Sequence, residues 1–150
     1  MILLHLEHSK FVDSIYLDFS KAFDKCNHGI ILKKLAKLGI QGNLLRWIEC
    51  FLRRRKQCVV IDGHKSETVW VISGVPQGSL LGPLLFLVLI YDITNGINYS
   101  ILSSFADDKK LWRGIKVNQE CQLLQHDLNQ IYAWTILNNM ELIWQKVPGN

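Results

Sequence analysis

Phe11 to Phe19, "FVDSIYLDF", alternates loosely between apolar and polar positions, and that period predicts a strand. A period of two sets Val12, Ser14, Tyr16 and Asp18 on one face, so Asp18 ends the strand with an apolar neighbour on each side. After Ser20 the period lengthens. Ile31, Leu35 and Leu38 recur at i, i+4 and i+7, with Lys33, Lys34 and Lys37 on the other side, which predicts an amphipathic helix stopped by Gly39. A second helix follows Gly42, turning Leu44, Leu45, Ile48, Phe51 and Leu52 inward, and "RRRKQ" closes it. "CVVIDGHKSETVWVIS" reads as two short strands around a turn at Asp62-Gly63. The Gly/Pro-rich "GVPQGSLLGP" then opens an apolar helix within Leu80 to Tyr91. "YSILSSFADDKKLW" predicts a hairpin with its turn at the two Asps. Leu124, Leu128, Ile131 and Thr135 mark one face of a last helix, from about Asn118 to Asn139.

Strand, two helices, hairpin, helix, hairpin, helix is an α+β order, an antiparallel sheet with helices packed on one face. The 150 residues fit a single domain, and 49% hydrophobic with 20% charged residues is a globular composition. A net charge of +4 and a pI near 8.9 are compatible with nucleic acid without requiring it. Cys26, Cys50, Cys58 and Cys121 form no CxxC pair, so free thiols in a reducing, intracellular setting are expected rather than a zinc site or disulfide framework. "MILLHLEHSK" is too short and polar for a signal peptide. "LLGPLLFLVLIY" carries Pro83 and falls short of the roughly 20 residues a bilayer needs, so a buried core helix is expected and no membrane segment. The sequon Asn98-Tyr99-Ser100 has no other sign of secretion beside it.

The chemistry concentrates in "FADDKK". Adjacent Asp107 and Asp108 repel, and two readings account for them: a polar turn, or a seat for a cation. If the strand ending at Asp18 neighbours this hairpin, Asp18 and Asp107 converge, and three carboxylates on one rim call for a divalent ion. That is the arrangement two-metal phosphoryl transfer needs, in which one ion activates the attacking hydroxyl and the other holds the triphosphate. The loop "SGVPQGS" lacks the G-K-[ST] ending of a P-loop. Its glycines allow close backbone approach and Gln77 offers both a donor and an acceptor; a plain tight turn before a core helix is the alternative.

"YLDFSKAFD", "SGVPQGSLLGPLLF" and "FADD", in this order and at these separations, resemble the palm of reverse transcriptases, in particular those of jockey-like non-LTR retrotransposons. The resemblance runs from about Phe11 to Lys146 and takes in "LKKLAKLGIQGNLLRWIECFLRRRKQCVVIDG" and "LQHDLNQIYAWTILNNM". It implies one partial reverse transcriptase domain over residues 1–150, an RNA-directed DNA polymerase palm using two Mg2+ or Mn2+ ions. The partners implied are an RNA template, a DNA primer and a dNTP. Asp18, the main-chain carbonyl of Phe19, Asp107 and Asp108 are the implied metal site, the three Asps being catalytic. Phe23 falls at the aromatic gate against the ribose 2′-hydroxyl, or simply packs in the core. Gln77 and Gly78 fall beside the incoming nucleotide and template. Lys146 falls at the lysine of a fourth motif, a candidate proton donor to pyrophosphate. Arg53, Arg54, Arg55 and Lys56 could contact nucleic-acid phosphates, or serve the dipole of the helix they follow.

Two departures stand out. Leu142 and Ile143 occupy places where the family usually has Phe-Asn, and Tyr91 stands where Asn is usual. Only 17 residues precede Asp18 and the chain stops at Asn150, so fingers, thumb and endonuclease are expected to be missing, whether or not a longer parent product supplies them. The alternative function is a remnant whose palm folds but does not polymerise, and which at most binds nucleic acid or a protein. An unrelated metal-dependent nuclease would explain the Asps but not "SGVPQGS".

Overall fold

The computed structural model describes residues 11–105 and 108–147, and these form an α+β arrangement in two compact units. The first unit comprises the described residues before Phe23 together with those from Asp92 onward; the second is Phe23–Tyr91.

The first unit is built on strand β1 (Phe11–Phe19), whose bounds are those the alternation predicts. Its Ile15, Leu17 and Phe19 are buried, while Tyr16 and Asp18 on the opposite face are exposed. From Ile15 to Phe19 a period of two thus separates core from surface, while Asp13 and Ser14, on opposite faces, are both buried. Downstream in the chain come β6 (Ile101–Phe105) and β7 (Asp108–Ile115), paired antiparallel with Phe105 opposite Asp108. Asp108 therefore opens a strand, and Asp107 lies outside the described residues. The sheet closes with β8 (Leu142–Val147), in the order β6-β7-β1-β8. The sequence pattern gave no sign of β8, because "LIWQKV" does not alternate and its pairing is wholly with distant β1, Phe19 facing Leu142.

The long helix of this unit (Gln119–Leu137) lies across the buried face of the sheet. Leu124, Ile131, Trp134 and Thr135 are buried, and the Trp134 ring lies 6.1 Å from Phe19. Asp127 sits in that apolar stripe with no exposed surface. Its carboxylate accepts the N–H groups of Asn98 (3.1 Å) and Tyr99 (2.8 Å), fastening the chain just before β6 to the helix. Burial opposes the charge, yet these bonds outweigh it and hold the Asp127 carboxyl below its ordinary range.

The second unit carries α1 (His28–Lys37), α2 (Gly42–Leu52) and α3 (Leu81–Ile90), which makes the Gln119–Leu137 helix α4. Asn27 caps α1 by accepting the Ile30 N–H at 3.1 Å. At the other end Gly39, at φ +89°, turns the chain so that Ile40 N–H reaches the Leu35 carbonyl. Two expected faces need correction. Lys34, expected on the solvent side, is buried and its ammonium donates to the Leu89 carbonyl; Leu38, expected inward, follows the last helical residue and is 51% exposed. In α2, Ile48 and Leu52 are buried as expected, whereas Leu44, also expected inward, is exposed in the first turn.

Between α2 and α3 run four strands of two residues each. β2 (Lys56–Gln57) pairs with β5 (Val69–Trp70), and β3 (Val60–Ile61) with β4 (His64–Lys65). Asp62 and Gly63 turn the inner pair at positive φ, the hairpin their sequence predicts.

Candidate functional site

Strand pairing sets two of the predicted carboxylates, Asp18 and Asp108, side by side. β1 and β7 are antiparallel neighbours with Leu17 opposite Lys109, so one step further along both strands Asp18 stands level with Asp108. Paired residues of an antiparallel ladder share a face, and both of these side chains are exposed. Two residues back on the same face, the Lys110 ammonium lies 5.1 Å from the Tyr16 ring centre. Tyr16, Ser103, Ser104, Asp108 and Lys110 line a groove beside the carboxylates. Phe19 ends β1 with its ring buried, and its carbonyl is the one the resemblance implies as a ligand. Lys146 is placed on β8 in register with Ile15.

The donors at this rim are carboxylate oxygens on adjacent strands, the hard set that suits Mg2+ or Mn2+ rather than a thiophilic ion. Among the described residues no group of three His, Cys, Asp or Glu side chains is placed to hold a metal ion. Asp107, the third predicted carboxylate, is outside them.

The remaining predicted residues lie in the second unit. Phe23 is half-buried with its ring 5.0 Å from that of Phe86. The loop Ser73–Ser79 returns to the segment just after Phe23. Gly74 N–H donates to the Cys26 carbonyl at 2.8 Å and Val75 N–H to the Phe23 carbonyl at 2.9 Å. Gly74 has φ +86°, and a Cβ there would lie 2.8 Å from the Asp24 carbonyl oxygen, so only glycine fits. Gln77 Nε2 donates to the Asp24 carboxylate at 2.9 Å, and the Ser73 hydroxyl to the Asp24 carbonyl, also at 2.9 Å. Asp24 was missed as a site residue, although it closes the quoted "YLDFSKAFD". Cys26 beside it is an inert thiol, pushed up to about 12 by burial and then by the Asp24 charge.

The basic cluster divides. Arg53 pairs with Glu49 at 2.8 Å on the surface, Arg54 is exposed at φ +57°, and Lys56 lies 4.3 Å from the Trp70 ring centre. Arg46, one helical stretch earlier on α2, joins Arg53 and Arg54 around a surface groove. Arg55 alone turns inward, donating to the Leu52 carbonyl at 2.9 Å and the Gly74 carbonyl at 2.7 Å.

An antiparallel sheet with two carboxylates level on neighbouring strands, in a chain that also carries a buttressed Gln-Gly loop, defines a polymerase-type palm. The family model for "Reverse transcriptase (RNA-dependent DNA polymerase)" matches residues 7–148, and the chain belongs to that family. It is 30% identical over 145 residues to the RNA-directed DNA polymerase from mobile element jockey of Drosophila funebris, covering 91% of this chain and 16% of that protein. The jockey polymerase of Drosophila melanogaster is 31% identical over 110 residues, 69% of this chain and 12% of that one. The probable RNA-directed DNA polymerase from transposon BS of Drosophila melanogaster is 28% identical over 141 residues, 89% of this chain and 16% of that one. The chain thus spans less than a fifth of each of these relatives. Among solved structures, apo telomerase from Candida tropicalis, truncated from its C-terminal domain, shares the fold. Its TM-score is 0.62 at 10% identity, over 97% of this chain and 32% of that one. No helix among the described residues is long and apolar enough to cross a membrane.

Proposed function

We propose that this chain carries the catalytic palm of an RNA-directed DNA polymerase, joining a dNTP to a primer 3′-hydroxyl on an RNA template during retrotransposition. The observation that carries the reading is the register of β1 and β7, which sets Asp18 level with Asp108 on an open face. Asp18, Asp107, Asp108 and the Phe19 carbonyl would hold two Mg2+ or Mn2+ ions. When bound, such ions supply activation of the attacking hydroxyl and charge neutralisation at the leaving pyrophosphate.

The other roles belong to the chain's own groups. Two strands of a sheet fix the Asp18 and Asp108 main chains, so the carboxylates are aligned before substrate arrives. Gln77 and Gly78 contact the incoming nucleotide and the template from a loop held by Asp24. Phe23 stands against the ribose 2′ position. Lys146 supplies a proton to pyrophosphate, and the exposed Arg53, Arg54 and Lys56 contact phosphates of the bound strands.

Primer extension on an RNA template, with Mg2+ or Mn2+, tests the reading. Where the 150-residue chain extends the primer, Asp108→Asn or Asp18→Asn should reduce the rate by about 10³-fold or more, because the amide lacks the negative charge that would hold a divalent ion. Both Asps are exposed, so circular dichroism and melting of the variants should stay close to the parent. A folded chain that binds primer–template without extending it would support a non-polymerising remnant instead.

A further inference from the structure

A carbonyl oxygen has two lone pairs, and at Gly74 both are taken by side chains. His28 Nε2 donates to it at 2.8 Å, and Arg55 Nη2 at 2.7 Å. His28 is buried at the start of α1, 46 residues away in sequence, so the contact is a tertiary anchor. Because the acceptor is a carbonyl, Nε2 must carry the proton, which both the neutral Nε2–H tautomer and the imidazolium allow. Arg55 does two things at once. Its Nε satisfies the Leu52 carbonyl in the last turn of α2, and its Nη2 satisfies Gly74, so one guanidinium ties a helix end to the loop. At φ +86°, with Asp24 and Phe23 main-chain atoms within 3.0 Å of any added Cβ, Gly74 has little freedom to present its carbonyl elsewhere.

We propose that His28 and Arg55 are positioning residues for this loop: they fix the Gly74 carbonyl so that Gln77 and Gly78, three and four residues on, are presented in one conformation to nucleotide and template. What Gln77 and Gly78 touch rests on the polymerase reading above; the anchor itself does not. The role separates Arg55 from its neighbours. Arg53, Arg54 and Lys56 are exposed, whereas the Arg55 guanidinium is spent on two main-chain carbonyls.

The test compares His28→Ala, His28→Gln, Arg55→Ala and Arg55→Lys with the parent in the 150-residue chain, each first shown to fold by circular dichroism. Hydrogen exchange across residues 71–80 reads the anchor directly. The two alanine variants should lose about tenfold in protection of the Gly74 and Val75 amides, with His28→Gln partly restored because an amide donor remains. In primer extension the alanine variants should raise KM for dNTP about tenfold with kcat changed far less, while the salt slope of primer–template binding stays at the parent value. Unchanged loop exchange would overturn the proposal. So would an Arg55→Ala chain whose primer–template binding weakens with a shallower salt slope, since that marks a phosphate contact. If the parent extends no primer, the non-polymerising remnant is supported, and the exchange experiment alone decides whether the anchor exists.

Discussion

The two units hold their site residues by different physical means. In the sheet unit, Asp18 and Asp108 are aligned by register, a property shared among the β1–β7 pairs from Phe11–Ile115 to Leu17–Lys109. No single side chain fixes it. In the Phe23–Tyr91 unit, the Gln77 loop is fixed by bonds converging on Gly74 and Asp24. A site held by register should tolerate change around it, because slipping the strands would turn every side chain to the wrong face. A site held by one peptide should be brittle.

Gly74→Ala puts that difference to its hardest use. The new methyl meets main-chain atoms at 2.8 to 3.0 Å and must also adopt φ +86°, so stability of the chain should fall by about 3 kcal/mol or more. Gly78 supplies the control on the same loop. It has φ +78° but no atom within 4 Å of an added Cβ, so Gly78→Ala should cost only about 1–2 kcal/mol, the backbone strain alone. Denaturant unfolding of the pair reads the gap, and equal losses would mean that the loop shifts freely and that convergence on Gly74 is not what holds it.

The sheet unit has its own concentrated contact, and it sharpens the contrast. Asp127→Ala removes a buried carboxylate and leaves the Asn98 and Tyr99 N–H groups unpaired, a loss of about 2–3 kcal/mol. Those bonds lie before β6 and away from the β1–β7 register. The variant should therefore melt earlier yet keep its primer-extension rate per folded molecule. A rate that falls with stability would show that register depends on this clamp, and the distinction between the units would collapse.

How much of this the sequence made visible follows the same division. β1 was legible to its end residues because period two survives in "FVDSIYLDF". The convergence expected for Asp18 was with Asp107, which lies outside the described residues; the register sets Asp18 level with its neighbour Asp108 instead. The helices were legible through Gly39, Gly42 and the i, i+4 spacing of Ile31 and Leu35. What stayed hidden depends on residues far apart. Lys34 reads as a solvent-facing lysine until the Leu89 carbonyl, 55 residues on, is seen to accept from it. Arg55 reads as one more charge in "RRRKQ" until Gly74 is in place. Gln77 was singled out by its motif, yet its partner Asp24, 53 residues earlier, was not. β8 had no alternation to betray it, and only β1 makes it a strand.

The smallest expected effect concerns His28, which tests whether the Gly74 anchor is felt as pH changes. Burial, opposed by the bond to Gly74 and helped by the Arg55 and Arg53 charges, holds the imidazole below its ordinary value. In the unfolded chain it titrates near 6.5. As pH falls below that value the unfolded state takes up a proton that the folded state still refuses, so stability is full above about pH 6.5 and declines on acidification. The melting temperature of the parent should therefore begin to fall between about pH 7 and pH 5.5, before most carboxylates protonate. His28→Gln should flatten that slope while starting from a lower melting temperature. The anchoring bond itself survives protonation because Nε2 carries a hydrogen in either state, so loop exchange at residues 71–80 should change less than global stability over the same range. A loop that loosens ahead of the global transition would mean that the imidazolium, crowded by Arg55, lets go of Gly74. The anchor would then rest on the guanidinium alone.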